Sequence, residues 1–130
     1  MTTYAPLKTI TLHLARTREH PDGSTRHGYQ LTAPLGQDGR IDAEAWKHHR
    51  NGCIVHRFWG DEPRQRGVLV HRAGGAAGAH WSFDYDRSTD NDDEDGYRLA
   101  DHVFAPGEYV SIRDADDELH TFRVVSVEPF

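Results

Sequence analysis

Apolar and polar residues alternate along much of the chain, the two-residue period of strands that bury one face. Leu7 to Leu14 shows it most clearly, with Ile10, Leu12 and Leu14 set against Thr9, Thr11 and His13. His20-Pro-Asp-Gly-Ser24 then carries turn residues: proline presets φ and glycine accepts the awkward dihedral. Tyr29, Leu31 and Ala33 resume the alternation, which predicts an antiparallel hairpin with His27 on its apolar side as a hydrogen-bonded neighbour of the core. Residues 53–59 place Ile54 and Phe58 on one face and Val55 and Trp59 on the other, which predicts a central strand or one beneath a helix. Val68 to His71 reads as a short following strand. In His80-Trp-Ser-Phe-Asp-Tyr85, the rings of Trp81, Phe83 and Tyr85 share one face, the pattern of a core strand with one polar side. Residues 97–99 and 102–104 predict a short or bulged strand. Tyr109–Ile112 and Leu119–Val127 predict a last hairpin, in which the adjacent Val124 and Val125 call for a bulge or for burial on both sides.

One helix interrupts the strands. Asp42 is a competent N-cap, Ile41 and Trp46 form a hydrophobic staple, and Glu44 suits the positive N-terminal end. Lys47-His-His-Arg50 puts basic groups on the last turn, and Asn51-Gly52 supplies a left-handed stop. A helix near residues 43–50 is too short to stand alone and must dock through Trp46, as a plug or lid over one end of a barrel. Seven or eight strands, one short helix and regularly spaced turns predict an all-β, mostly antiparallel barrel or sandwich, a single domain over residues 1–130.

Composition narrows the setting. The lone Cys53 excludes an internal disulfide framework, no signal-peptide pattern opens the sequence, and no stretch has membrane-spanning length, so the expectation is a cytoplasmic protein. Thirteen of the fifteen basic residues are arginine, which points to a GC-rich bacterial gene. The formal charge of −6 is unevenly spread. Residues 1–60 carry 8 basic and 5 acidic groups, whereas residues 61–130 carry 7 and 16. Complementary halves of this kind pack on each other, and with no basic cluster the pattern disfavours a nucleic-acid partner.

Two constellations carry possible chemistry. Residues 86–95 hold six carboxylates against Arg87, the composition of a solvated loop or an ion site. Asp84, Asp86, Ser88, Asp90, Asp92 and Asp95 fall at positions 1, 3, 5, 7, 9 and 12 of a calcium-loop window. Thr89 replaces the glycine at position 6 and Asp95 the bidentate glutamate, so an unoccupied loop is expected. The ten histidines show no His-x-His or His-Glu-x-x-His spacing, and a metal site would need assembly in three dimensions from strand positions. Cys53 follows a helix C-terminus on an apolar strand, the setting of an inert thiol.

Pro106-Gly-Glu-Tyr-Val-Ser-Ile112 followed by Leu119-His-Thr-Phe122 resembles the second conserved hairpin of the cupins, where a glycine-led strand precedes a metal-binding histidine. The resemblance implies a barrel and marks His120 as a metal candidate, with His56, His71 and His80 as possible companions; the cupin His-x-His has no counterpart. The functional expectation is a non-enzymatic binding or interaction module without a cofactor, taking a protein partner or small ligand on a face formed by Trp59, His80, Trp81 and Arg98 beside the acidic run. The alternatives are a cupin-like metal-dependent enzyme, a small-molecule-binding barrel and a calcium-binding acidic loop.

Overall fold

The computed structural model describes residues 5–72, 80–85, 94–96, 102–113 and 118–130. Eight strands follow one another as β1 (Leu7–Leu14), β2 (Ser24–Pro34), β3 (Ile54–Trp59), β4 (Gln65–Arg72), β5 (His80–Asp84), β6 (Glu94–Gly96), β7 (Tyr109–Arg113) and β8 (Leu119–Pro129). Each pairs antiparallel with the next, and β8 returns to β1 to close an up-and-down barrel. Seven strands make most of the wall. The three-residue β6 completes it thinly, held to β7 by the single pair Asp95↔Arg113 among the described residues. The expected all-β antiparallel barrel with one short helix is the fold observed.

Alternation decides what fills the barrel. Ile10, Leu12, Tyr29, Leu31, Val55, Leu69, Phe83, Val110, Ile112 and Phe122 point inward and are buried to within 1% of full burial. Thr9, Thr11, Gln30, His56, Arg66 and Arg123 alternate with them on the outer wall. This apolar-in, polar-out order is the reverse of a lipid-facing barrel wall, and no helix among the described residues is long and apolar enough to cross a membrane. The question posed by Val124 and Val125 resolves as a bulge: Thr11 pairs with Ser126 and Leu12 with Val124, which leaves Val125 as the extra, exposed residue.

Helix α1 (Ala43–His49), continued by a 3-10 turn at Arg50–Gly52, covers one end of the barrel. Asp42 caps it, accepting from the backbone N–H groups of Glu44 at 3.0 Å and Ala45 at 3.2 Å. Trp46 is the plug: it is 6% exposed, donates its indole N–H to the Leu69 carbonyl at 3.0 Å, and meets Trp81 edge-on at 5.5 Å between ring centroids.

Three expectations are corrected. Asn51-Gly52 makes no left-handed stop: both residues continue the helix in the 3-10 turn, and the φ of Gly52 is not positive. Strand β3 takes the central of its two expected places, paired with β2 and β4, and its outer Phe58 is covered by the edge of His13 at 6.0 Å and by Arg64, because Gly28 between the two strands leaves room for those rings to meet. A Cβ at Gly28 would stand 1.9 Å from the Leu12 carbonyl oxygen, so no other residue fits there. Residues 102–104 form no strand; Phe104 instead buries its ring and donates its N–H to the Gly39 carbonyl at 2.8 Å, which ties this segment to the loop before α1. Residues 97–99 lie outside the described residues. The acidic run is shorter as a loop than expected, since Glu94 and Asp95 belong to β6 and pair with β5.

Candidate binding site at the barrel end away from the helix

The two ends of the barrel differ in chemistry. At the helix end the inward side chains are sealed by Trp46. At the other end, where β3 finishes, the inward positions are occupied by His27, Arg57, Trp59 and His120 instead of aliphatic groups. The register explains the grouping: His27 pairs with Trp59, Tyr29 with Arg57, and Ile112 with His120, all on the inward face. The arginine is the unusual member. Its side chain is only 15% exposed, its guanidinium sits 4.6 Å over the Trp59 ring, and Glu62 approaches it at 3.9 Å. Stacking of this kind holds a guanidinium flat.

Rings complete the cluster. His27 meets Trp59 edge-on at 4.7 Å, His120 approaches Trp59 at 5.4 Å, and Phe122 supports it from below at 6.3 Å. The Ser24 hydroxyl and the His27 Nδ1 lie 2.6 Å apart, which fixes the imidazole. Gly60, at φ +58, turns the chain immediately after Trp59, and a Cβ there would come within 3.3 Å of the His27 Nε2. The sequence expectation of His27 as a hydrogen-bonded neighbour of the core therefore holds.

Cationic groups surround His27, and carboxylates stand beside them: Asp61 pairs with Arg26, Glu62 approaches Arg57, and Glu118 lies 3.9 Å from His120. Burial lowers the His27 pKa from its ordinary value; His20, Arg26 and Arg57 lower it further, and Glu62 partly opposes them. The positive charges of Arg26 and Arg57 that add to this shift would attract a negative group placed beside them.

Of the four residues expected to share one exposed face, Trp59 alone belongs here. Trp81 is 1% exposed and lies inside the barrel at the helix end, packed on His71 at 4.3 Å and on Trp46, because β5 runs antiparallel to β4 and begins at that end. His80 is the first residue of β5, also at the helix end, and Arg98 lies outside the described residues. The sequence missed Arg57, His27 and His120 as a group, although the alternation through Val55, Arg57 and Trp59 carried the signal that an arginine shares the inward face.

The cupin resemblance is carried only by the hairpin itself, which forms as β7 and β8. His120 faces Trp59 and Phe122, His56 lies on the outer wall, and His71 packs against Trp81 at the opposite end. These candidates are dispersed, and among the described residues no three His, Cys, Asp or Glu side chains converge as a metal site. The calcium window has its first residue, Asp84, on β5 and its last, Asp95, on β6, while its intervening ligands fall outside the described residues. Cys53 is fully buried and its thiol is pushed up to about 11 by that burial. Comparison with family models, curated proteins and solved structures gives no match, so the meaning of the Arg57–Trp59 cluster is argued from its geometry alone.

Proposed function

We propose that the chain is a non-enzymatic binding module that takes a small anionic ligand with a flat apolar part at the barrel end away from the helix. The observation that carries this reading is the inward-facing, 15% exposed guanidinium of Arg57 held over Trp59. An aliphatic pair would fill a barrel end more cheaply, because burying a charge costs free energy that apolar packing does not. Ligand sites in barrels occur at their mouths, with an apolar lining and a few placed polar groups. In this arrangement Trp59, backed by the buried Phe122, offers the apolar surface, Arg57 binds the anion, and His27 and His120 flank it. The net charge of −6 and the sixteen acidic groups of residues 61–130 argue against a polyanionic nucleic acid as the partner. A cytoplasmic, bacterial setting is part of the same proposal, on the single cysteine and the arginine bias.

The test uses 1-anilinonaphthalene-8-sulfonate, a flat sulfonate whose fluorescence rises in apolar sites. The native protein is expected to bind one equivalent saturably, with Arg57→Met and Trp59→Ala each weakening it by about tenfold or more, the loss of one charge-assisted contact or one aromatic wall. Near-UV circular dichroism shows that both variants keep their packing. Unchanged dye affinity in both well-packed variants would refute the proposal.

A further inference from the structure

The outer wall carries a second basic group that the Arg57–Trp59 cluster does not use. Thr11, Gln30, His56 and Arg66 are direct cross-strand neighbours on β1 to β4, so His56 and Arg66 stand opposite each other. An imidazole opposite a guanidinium resists protonation unless an anion stands with them. Arg64 adds a second guanidinium by donating to the Gln30 side-chain oxygen at 3.2 Å. No carboxylate forms an ion pair with His56, Arg64 or Arg66 among the described residues. Beside His56 and Arg66 runs a groove of about 460 Å³, with Ile54 and Phe130 as its apolar lining and Thr9 and Thr32 next to them; Arg64 reaches its edge through the bond to Gln30, which also lines it. Burial lowers the His56 pKa from its ordinary value, and the charges of Arg64 and Arg66 lower it further.

We propose that this groove is a phosphate-recognition site, taking a small organic phosphate whose dianion lies against His56, Arg64 and Arg66 and whose apolar part rests on Ile54 and Phe130. A carboxylate would leave one guanidinium uncompensated. A phosphomonoester carries close to two negative charges at neutral pH and three acceptor oxygens, enough to engage both arginines and the imidazole. The site is independent of the barrel-end cluster, because successive residues of β3 point to opposite faces and His56 lies outside where Arg57 lies inside.

The experiment titrates the full chain with phenyl phosphate, benzoate and inorganic phosphate while following the His56 ring proton by NMR. Phenyl phosphate is expected to bind saturably and to raise the His56 midpoint by about one pH unit, the effect of an opposite charge at contact distance. Benzoate and inorganic phosphate are expected to bind more weakly, the first for want of charge and the second for want of an apolar part. Arg66→Gln and His56→Gln, both on the outer wall, should weaken phenyl phosphate by about tenfold, and Trp59→Ala should leave it unchanged. Benzoate binding as tightly as phenyl phosphate, inorganic phosphate doing the same, or equal movement of every histidine without saturation would each overturn the proposal.

Discussion

Replacing Trp46 tests whether the short helix closes the barrel. Trp46→Ala removes an indole that is 6% exposed, its contacts to Trp81 and His71, and its hydrogen bond to the Leu69 carbonyl. Truncating a buried tryptophan costs about 3–5 kcal/mol, through lost burial and the cavity left behind. At about 4 °C per kcal/mol for a chain of this size, the melting temperature should fall by about 12–20 °C. Trp46→Phe keeps most of the ring and loses the N–H donor, so its cost should be nearer the 1–2 kcal/mol of one buried hydrogen bond, or about 4–8 °C. Thermal and urea unfolding followed by far-UV circular dichroism read both variants. The Phe variant separates packing from hydrogen bonding: a Phe loss equal to the Ala loss would show the Leu69 bond to be dominant. If Trp46→Ala lowered stability by less than about 1 kcal/mol, the helix would be a surface appendage and the closed-end reading would be wrong, since no fully packed tryptophan is removed so lightly.

Three further outcomes follow from the same structure. Cys53, buried and with its thiol pushed up to about 11, should resist a thiol-specific reagent at pH 8 in the native protein and react once urea unfolds it; rapid native labelling would contradict its burial. His13, His27 and His56 all have pKa values lowered from 6.5, mainly by burial, so the unfolded chain binds more protons than the folded one as pH falls through 6.5 towards the folded values. Stability should therefore be full above that range and decline as pH falls below about 6.5, and a His27→Gln variant should flatten the decline in the urea midpoint. In the acidic run, Asp90→Asn, Asp92→Asn and Asp93→Asn together should change stability by less than about 0.5 kcal/mol, and millimolar calcium raising the melting temperature of the parent but not of this variant would instead identify an ion site.

The alternation of Ile10, Leu12 and Leu14 with threonines, and of Tyr29, Leu31 and Ala33 with their neighbours, determined the strands and their inward faces, because a pleated strand with one buried side permits no other phase. Asp42 and Trp46 likewise determined the start of the helix and its docking side chain, since caps and staples act within a few residues of themselves, whereas Asn51-Gly52 did not stop it in a left-handed turn but carried it on as a 3-10 turn. The binding surface was not local in this sense. Trp59 and Trp81 look equivalent in sequence, each an aromatic on a strand near charged residues. Antiparallel connectivity sends them to opposite ends of the barrel, so Trp81 is sealed under Trp46 while Trp59 meets Arg57, His27 and His120. The bulge at Val125 also needed the closed barrel, because only the return of β8 to β1 shows which of two adjacent valines slips out of register. Sequence thus determined which face of each strand is buried, a property with a period of two residues, and tertiary pairing decided which buried or outward residues become neighbours, a property set by partners distant along the chain, as in the 32 residues separating His27 from Trp59 and the 61 separating Trp59 from His120.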